Sequence, residues 1–247
     1  MNNIVIIGNG EIGKSLAKCY DSSYNVVIKD IEPLENPPMN VEVMNVCIPY
    51  SDGFEDIVVD YIMEMKPRVV IIHSTVIPET TNNIIEKCAV NMERVFVCHS
   101  PVRGVHPNLY EGLMTFVKYI GTDNEITAAI VADHYTKLGI KHEFVDSSTA
   151  TELAKILCTT YYGTCIVWHN EVAKLCKKYK VNFDDVATNW TNTYNKGFTE
   201  LGMGNVARPV LYAPKDGKIG GHCIRPNAVL CKEFFNSPIL DAIIELQ

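Results

Sequence analysis

Apolar and polar positions follow two regimes along the chain. In the first half, apolar runs of four to six residues, such as 4–7 and 69–72, alternate with segments whose apolar residues recur every three or four positions. Short continuous runs bounded by turn residues predict strands buried on both faces, and the longer period predicts helices. The pattern gives strands at 3–7, 25–29, 43–48, 68–73, 94–98, 116–120 and 143–145, with helices at 11–20, 52–66, 79–90 and 125–138. Residues 31–40 read as a proline-rich loop and 99–112 as a second loop. Strands alternating with helices predict a doubly wound, parallel α/β sheet covered on both faces.

The second regime begins near residue 148. From there to residue 179 no proline occurs, and Gly163 is the only glycine. Apolar residues fall at 153, 156, 157, 161, 165, 168, 172, 175 and 176, the spacing of one long helix. At about 1.5 Å per residue it would be roughly 48 Å long, long enough to bridge two units and to need a partner for its apolar stripe. A shorter helix is expected at 183–192, an irregular glycine-rich stretch at 193–223, and short helices at 228–235 and 240–246. The predicted organisation is a cofactor-type domain at 1–147 and a helical dimerisation domain at 148–247, joined by the long helix.

Composition narrows the possibilities. The 247 residues carry 22 basic and 29 acidic side chains, a formal net charge of −7, and 47% are hydrophobic. That argues against long disorder and against nucleic acid as a generic partner, because clustered Lys and Arg supply most of that affinity. No apolar run approaches the roughly 18 residues that span a bilayer, and the start Met1-Asn2-Asn3 lacks the features of a signal peptide. The expectation is a cytoplasmic protein with no membrane partner. Nine cysteines, odd in number and without a Cys-x-x-Cys pair, fit a reducing compartment and give no zinc pattern.

The strongest local motif is Ile4-Val5-Ile6-Ile7-Gly8-Asn9-Gly10-Glu11-Ile12-Gly13, a strand running into Gly-x-Gly-x-x-Gly and then a helix. Gly8 allows the tight turn, Gly10 lets backbone approach a pyrophosphate, and Gly13 lets helix and strand pack closely. Glu11, Ile12 and Gly13 open the helix, whose N-terminal N–H groups face the phosphates. Asp30 follows 22 residues after Gly8, at the end of the second strand. A carboxylate there hydrogen-bonds ribose hydroxyls and repels a 2′-phosphate, favouring NAD over NADP. Lys14 and Lys29 weaken that preference slightly. The fold expected is therefore Rossmann-like, with NAD as cofactor.

Four later segments stand in order: Cys47-Ile48-Pro49-Tyr50; His73-Ser74-Thr75-Val76-Ile77-Pro78; Thr151-Glu152-Leu153-Ala154-Lys155, with His169-Asn170-Glu171 further along the same helix; and Gly220-Gly221-His222-Cys223-Ile224. With the glycine fingerprint, they resemble the UDP-glucose/GDP-mannose (nucleotide-sugar) dehydrogenase family over nearly the whole chain. The resemblance implies oxidation of a sugar-nucleotide primary alcohol to a carboxylate with two NAD per product. Cys223 matches the family nucleophile, which captures the aldehyde as a thiohemiacetal; a thiolate suits that role because it adds to carbonyls and leaves readily. Lys155 matches the lysine that stabilises the developing oxyanion. Thr75 matches a hydroxyl near the nicotinamide, with Ile48 and Pro49 also on the cofactor, and Gly220 and Gly221 let the thiol approach substrate. Asn170 and Glu171 match residues read as structural. A homodimer through the long helix and a small-molecule substrate, such as a nucleotide sugar, follow as expectations. No metal is implied.

The chain also departs from that pattern. The family asparagine one turn after its lysine is Thr159 here, and the family glutamate expected to serve as base for thioester hydrolysis is Val102. Arg103, beside it, could bind an acid or phosphate bidentately. After Cys223 the segment runs Ile224-Arg225-Pro226-Asn227, with the proline displaced and a neutral residue in place of the acid. Only 24 residues follow Cys223, so the family's third domain, which covers the substrate nucleotide, is expected to be missing. Two other readings stay open: a two-electron β-hydroxyacid-type dehydrogenase, which needs no cysteine, and a non-catalytic NAD-binding sensor.

Overall fold

The computed structural model describes residues 2–30, 37–90, 95–212, 219 and 223–246. The chain divides into two compact units, Met1–Lys155 and Ile156–Gln247. The first eight residues of the long helix thus belong to the first unit, beyond the boundary expected at 147.

The first unit is built on a seven-stranded sheet of order β2-β1-β3-β4-β5-β6-β7. The strands are β1 (Asn2–Ile7), β2 (Tyr24–Lys29), β3 (Val41–Val46), β4 (Val69–Ile72), β5 (Phe96–His99), β6 (Lys118–Gly121) and β7 (His142–Val145). The first five are parallel; β6 meets β5 through one antiparallel bridge, His99 opposite Gly121, and pairs in parallel with β7. The sheet is therefore mostly rather than wholly parallel. Alternation along each strand divides the core between two faces. Ile4, Ile6, Val43, Val69 and Ile71 pack towards α1 (Glu11–Ala17), α4 (Leu109–Thr115) and α5 (Glu125–Lys137). Val5, Ile7, Met44, Val46, Val70 and Ile72 pack towards α2 (Phe54–Met65) and α3 (Thr80–Val90). This is the doubly wound, Rossmann-like arrangement that the apolar runs predict. The helix α4 lies where a loop was expected: its apolar residues Leu109 and Leu113 are a single turn's worth of pattern and only make sense once buried.

Register decides where chemistry can sit. Ile7 lies level with Lys29 and Val46, Val46 with Ile72, and Ile72 with His99. The next residues, Gly8, Asp30, Cys47, His73 and Ser100, therefore line one carboxyl edge. The strand order reverses between β1 and β3, and open α/β sheets bind ligands at such a switch point.

The long helix α6 (Ser148–Tyr179) has the limits that the sequence pattern predicts. In the second unit a small core joins Ile156 of α6 to Ile224, Ala228, Cys231, Leu240 and Ile243 of α8 (Ile224–Cys231) and α9 (Pro238–Glu245). Gly163 makes this possible: a Cβ there would lie 2.7 Å from Ile224 Cγ2. Between them a π-helical turn (Asp184–Thr188) runs into α7 (Asn189–Glu200). The expected irregular stretch thus begins later than residue 193. Gly197, within the stretch expected to be irregular, sits inside α7, and the chain turns away from the helix at Gly202, with φ +70° and Met203 N–H returning to Phe198 O at 2.7 Å. Likewise α8 begins at Ile224 and not at 228, because Pro226 falls in the first turn, where its missing N–H costs no helical bond.

Candidate functional site

The glycine turn has the three properties that its sequence asks for. Gly8 has φ +103°, and a Cβ on it would stand 2.8 Å from the Cys47 carbonyl oxygen at the end of β3. A Cβ on Gly13 would fall 2.0 Å from the Gly8 carbonyl oxygen, so α1 lies directly against the strand end. A Cβ on Gly10 would meet nothing within 4 Å. Gly10 is the N-cap of α1 and offers no side-chain cap, which leaves the helix N–H groups for an anion. Space at Gly10 with closure at Gly8 and Gly13 fits a pyrophosphate. Asp30 is exposed at the end of β2, where a ribose would lie relative to such a turn. Lys29 is buried, with its ammonium on the Asp30 carbonyl and 5.6 Å from the centre of the Tyr61 ring. Ile12 and Ile48 are half-buried and Pro49 exposed. Glu11 is exposed and pairs with His106 of the segment after β5.

The start of α6 is tied to the same edge. Ser147 Oγ accepts from Ala150 N–H at 3.1 Å, capping the helix. Thr151 Oγ is 2.9 Å from His99 Nδ1, and Gly121 leaves room for it: a Cβ there would lie 2.1 Å from that hydroxyl. Glu152 is fully buried and caps α3 across the domain, accepting from Glu79 N–H at 2.8 Å, Thr81 N–H at 2.9 Å and the Thr81 hydroxyl at 2.6 Å. Burial pushes the Glu152 carboxyl up, and the Thr81 and Glu79 donors pull it back. These donors make Glu152 a docking residue for α6, a role that the sequence reading missed. Glu152→Ala should lower stability by about 3 kcal/mol, since it leaves several donors unpaired in the core. Differential scanning calorimetry should show the melting temperature falling by about 6–12 °C; an unchanged value would remove this role.

One turn further on, Lys155 Nζ donates to Val102 O at 2.8 Å. The Val102 side chain, at the position the family pattern gives to glutamate, is buried in the core with Cys98, Leu109 and Leu113. Arg103 is exposed; its guanidinium lies 5.9 Å from the centre of the Phe116 ring and 5.5 Å from that of Tyr119, and it donates to Val117 O at 3.3 Å. Thr75 is half-buried just past β4.

Beneath this edge lies a buried polar chain that the sequence reading also missed. Lys118 of β6 is 1% exposed. Its ammonium donates to Ser100 O at 2.5 Å and Pro101 O at 3.4 Å and lies 3.1 Å from His73 Nδ1. His73 Nε2 then meets Asn45 Oδ1 at 2.8 Å, Asn45 Nδ2 donates to the Tyr20 hydroxyl at 3.0 Å, and that hydroxyl is 3.0 Å from His134 Nε2. Burial without a carboxylate partner pushes Lys118 down to about 7 and holds His73 well below the usual imidazole range. A lysine inside the apolar run 116–120 was the available clue.

In the second unit, Cys223 is half-buried at the N-cap of α8, its carbonyl receiving Asn227 N–H at 3.1 Å. Thr159 is half-buried on α6. Asn170 is buried, with its side-chain nitrogen unpaired, and Glu171 is exposed. Gly220 and Gly221 lie outside the described residues. All nine cysteines are free, and no metal-binding cluster occurs among the described residues. No helix among them is long and apolar enough to cross a membrane.

No family model matches the chain. Curated relatives do. A UDP-N-acetyl-D-mannosamine dehydrogenase of Methanococcus vannielii is 26% identical over 184 residues, covering 74% of this chain and 36% of its own. One from Methanococcus aeolicus is 24% identical over 217 residues, 82% of this chain and 45% of its own. The chain thus spans less than half the length of these relatives. Among solved structures, the UDP-D-ManNAc dehydrogenase of Pyrococcus horikoshii matches 99% of this chain and 68% of its own with a TM-score of 0.79 at 19% identity. A 3-hydroxyisobutyrate dehydrogenase of Mycobacterium tuberculosis matches 99% of this chain and 92% of its own with a TM-score of 0.71 at 15% identity. At such identities the structures show the fold alone. With sequence similarity over about three quarters of its length and this fold over nearly all of it, the chain is similar to the nucleotide-sugar dehydrogenases.

Proposed function

We propose that the chain is an NAD-dependent dehydrogenase acting on CH–OH donors of the sugar-nucleotide class. The observation that carries this reading is the glycine cradle at the switch point, open at Gly10 and closed at Gly8 and Gly13. Gly8, Gly10, Glu11, Ile12 and Gly13 hold the pyrophosphate end, Asp30 takes the ribose hydroxyls, and Ile48, Pro49 and Thr75 line the rest. When bound, NAD supplies the hydride acceptor.

The chain's own residues then do the following. Lys155 places positive charge where the substrate oxygen becomes negative, and Thr75 and Thr159 hold hydroxyls at the reacting end. The Cys223 thiolate adds to the aldehyde carbon, forming a C–S bond, and Lys155 supports the resulting oxyanion. The aldehyde would arise as the alcohol gives one hydride to a first NAD, and the C–S adduct would give a second hydride to a second NAD and so become a thioester. Water adds to it, the C–S bond breaks, and thiol and carboxylate are released. Val102 supplies no base for that last step, because its side chain is apolar and buried. Gly220 and Gly221 match the glycines beside the nucleophile in the resembled family, and Arg103 is the proposed substrate contact.

The buried Val102 favours a second reading, a two-electron dehydrogenase of the β-hydroxyacid type, in which no thioester needs hydrolysis. NADH formation followed at 340 nm on a panel of UDP-sugars, GDP-sugars and hydroxy acids tests both. On the first reading, Cys223→Ala lowers turnover on a nucleotide sugar at least about a thousandfold. Turnover on a hydroxy acid that survives this change establishes the second. NAD binding without turnover on any substrate leaves only the sensor.

The protein is further proposed to be a cytoplasmic homodimer. In the second unit Leu157, Tyr161, Trp168, Leu175 and Tyr179 are exposed on α6, at steps of four, seven, seven and four residues. That is the apolar seam of a helix with a helical partner. Leu175→Glu should halve the mass in light scattering without loss of helix by circular dichroism; an unchanged mass would place the contact elsewhere.

A further inference from the structure

We infer that Lys118 is a positioning residue that ties together the two loops carrying Thr75 and the acceptor of Lys155. Its consequence for turnover rests on the role proposed for Lys155; its geometry does not. The three carbonyls of the turn 100–102 hold two ammonium groups. Ser100 O and Pro101 O take Lys118, and Val102 O takes Lys155. The turn is pinned at its first residue on three sides: Ser100 N–H donates to Ile72 O at 2.8 Å, its carbonyl accepts from Lys118, and its Oγ accepts from the Tyr135 hydroxyl at 2.9 Å. Pro101 has no N–H with which to continue the sheet. The chain leaves the sheet there, and Val102 O is aimed at Lys155 by what holds the two residues before it.

The same ammonium faces His73, two residues before Thr75. His73 Nδ1 lies 3.1 Å from both the Lys118 ammonium and Ser100 O, and Nε2 lies 2.8 Å from Asn45 Oδ1, so the imidazole joins the end of β4 to the same turn. Lys118 therefore clamps the ends of β4 and β5 from beneath. Among the described residues it meets carbonyls, an imidazole and the Tyr135 ring, whose centre is 5.6 Å away, and no carboxylate. A buried cation in such a setting is costly, and a methionine of similar length would fit the surroundings of Tyr135 and the strand residues. What methionine could not do is hold the turn.

The experiment is competitive acylation of lysines with a trace of acetic anhydride, read by peptide mass spectrometry on the full-length protein, with the exposed Lys196 as internal reference. In Lys118→Met the labelling of Lys155 relative to Lys196 should rise at least about threefold, because Val102 O no longer holds its place. Equal labelling in the two proteins overturns the inference. NAD affinity should fall by less than about threefold, since the glycine turn and Asp30 share no bond with Lys118 and Thr75 alone of the proposed cofactor residues follows His73. If turnover is measurable, kcat should fall about tenfold with the KM for NAD changed by less than about threefold; a change in KM alone would count against it. Should the methionine variant fail to fold, Tyr135→Phe removes a different pin of the same turn and should raise Lys155 labelling about twofold, and no rise there refutes the clamp. Absence of turnover with raised labelling would sink the proposed activity and leave the positioning role standing.

Discussion

Valine at Gly10 will abolish NAD binding and leave the fold intact, whereas alanine at Gly13 will cost the domain much of its stability. The two residues belong to one motif, and sequence alone treats them as equals. A side chain at Gly10 enters open space beside the first turn of α1, and its φ of −75° is one that any residue adopts. Losing a glycine cap costs at most about 1 kcal/mol, so the melting temperature should move by no more than about 4 °C. The added methyl groups occupy the volume a pyrophosphate needs, and calorimetric titration should show NAD affinity reduced at least about a hundredfold. At Gly13 the new Cβ would sit 2.0 Å from the Gly8 carbonyl oxygen and 3.2 Å from Ile6 Cγ2. Backbone faces backbone there, so neither side can rotate away and the helix must shift. Overpacking costs about 1–3 kcal/mol where side chains yield, and more than about 3 kcal/mol is expected here. That is a large part of the 5–15 kcal/mol typical of a whole domain. A Gly10 variant that still binds NAD would remove the dinucleotide reading, and a Gly13 variant as stable as wild type would contradict the packing.

Acid will destabilise the protein from about pH 6.5 downward, before most carboxylates titrate. Three buried histidines are held neutral. Burial pushes His99 down to about 3 and His134 down to about 4, and it holds His73 well below the usual range with Lys118 close by. On unfolding, each meets water and takes up a proton near pH 6.5. Below that pH the unfolded chain therefore binds more protons than the native one, and stability falls as pH falls. At about 1.4 kcal/mol for each pH unit of displacement, His99 contributes on the order of 5 kcal/mol of this loss by pH 3 and His134 on the order of 3 kcal/mol by pH 4. Glu152 works against it over a narrower range, because its raised carboxyl binds a proton more readily in the native state. Urea midpoints at pH 7, 5.5 and 4 should fall steadily, by more than half overall, and His99→Gln should flatten the profile. Midpoints constant from pH 7 to 5 would mean that these rings are hydrated in the folded protein.

Legibility tracked the distance over which each element is specified. Runs such as 4–7 and 69–72 are apolar throughout, so burial on both faces could be read residue by residue. The limits of α6 were legible because no proline interrupts 32 residues and the apolar period never slips. The helix α4 is too short for its pattern to show, and α7 and α8 were shifted because each contains a residue whose local preference opposes a helix but whose position makes it harmless. Gly197 is tolerated inside α7 because Trp190, Tyr194, Phe198 and Leu201 form its stripe around a groove of about 440 Å³. Pro226 is tolerated because it falls in a first turn.

The site divides in the same way. The sequence by itself determined the glycine turn, since Gly8, Gly10 and Gly13 act within six residues and their conformations follow from local sterics. It also determined the order of strands and helices that delivers Asp30 and Thr75 to strand ends. Only the tertiary structure decided which polar residues meet. Glu152 caps a helix that begins 72 residues earlier in the chain. Arg103 is exposed but lies over the rings of Phe116 and Tyr119. Val102 turns its side chain into the core and its carbonyl to Lys155, and Lys118 holds that turn from beneath. Such pairings join residues distant in sequence, and the exposure of each group to water, which sets its charge and strength, exists only once the sheet has formed over it.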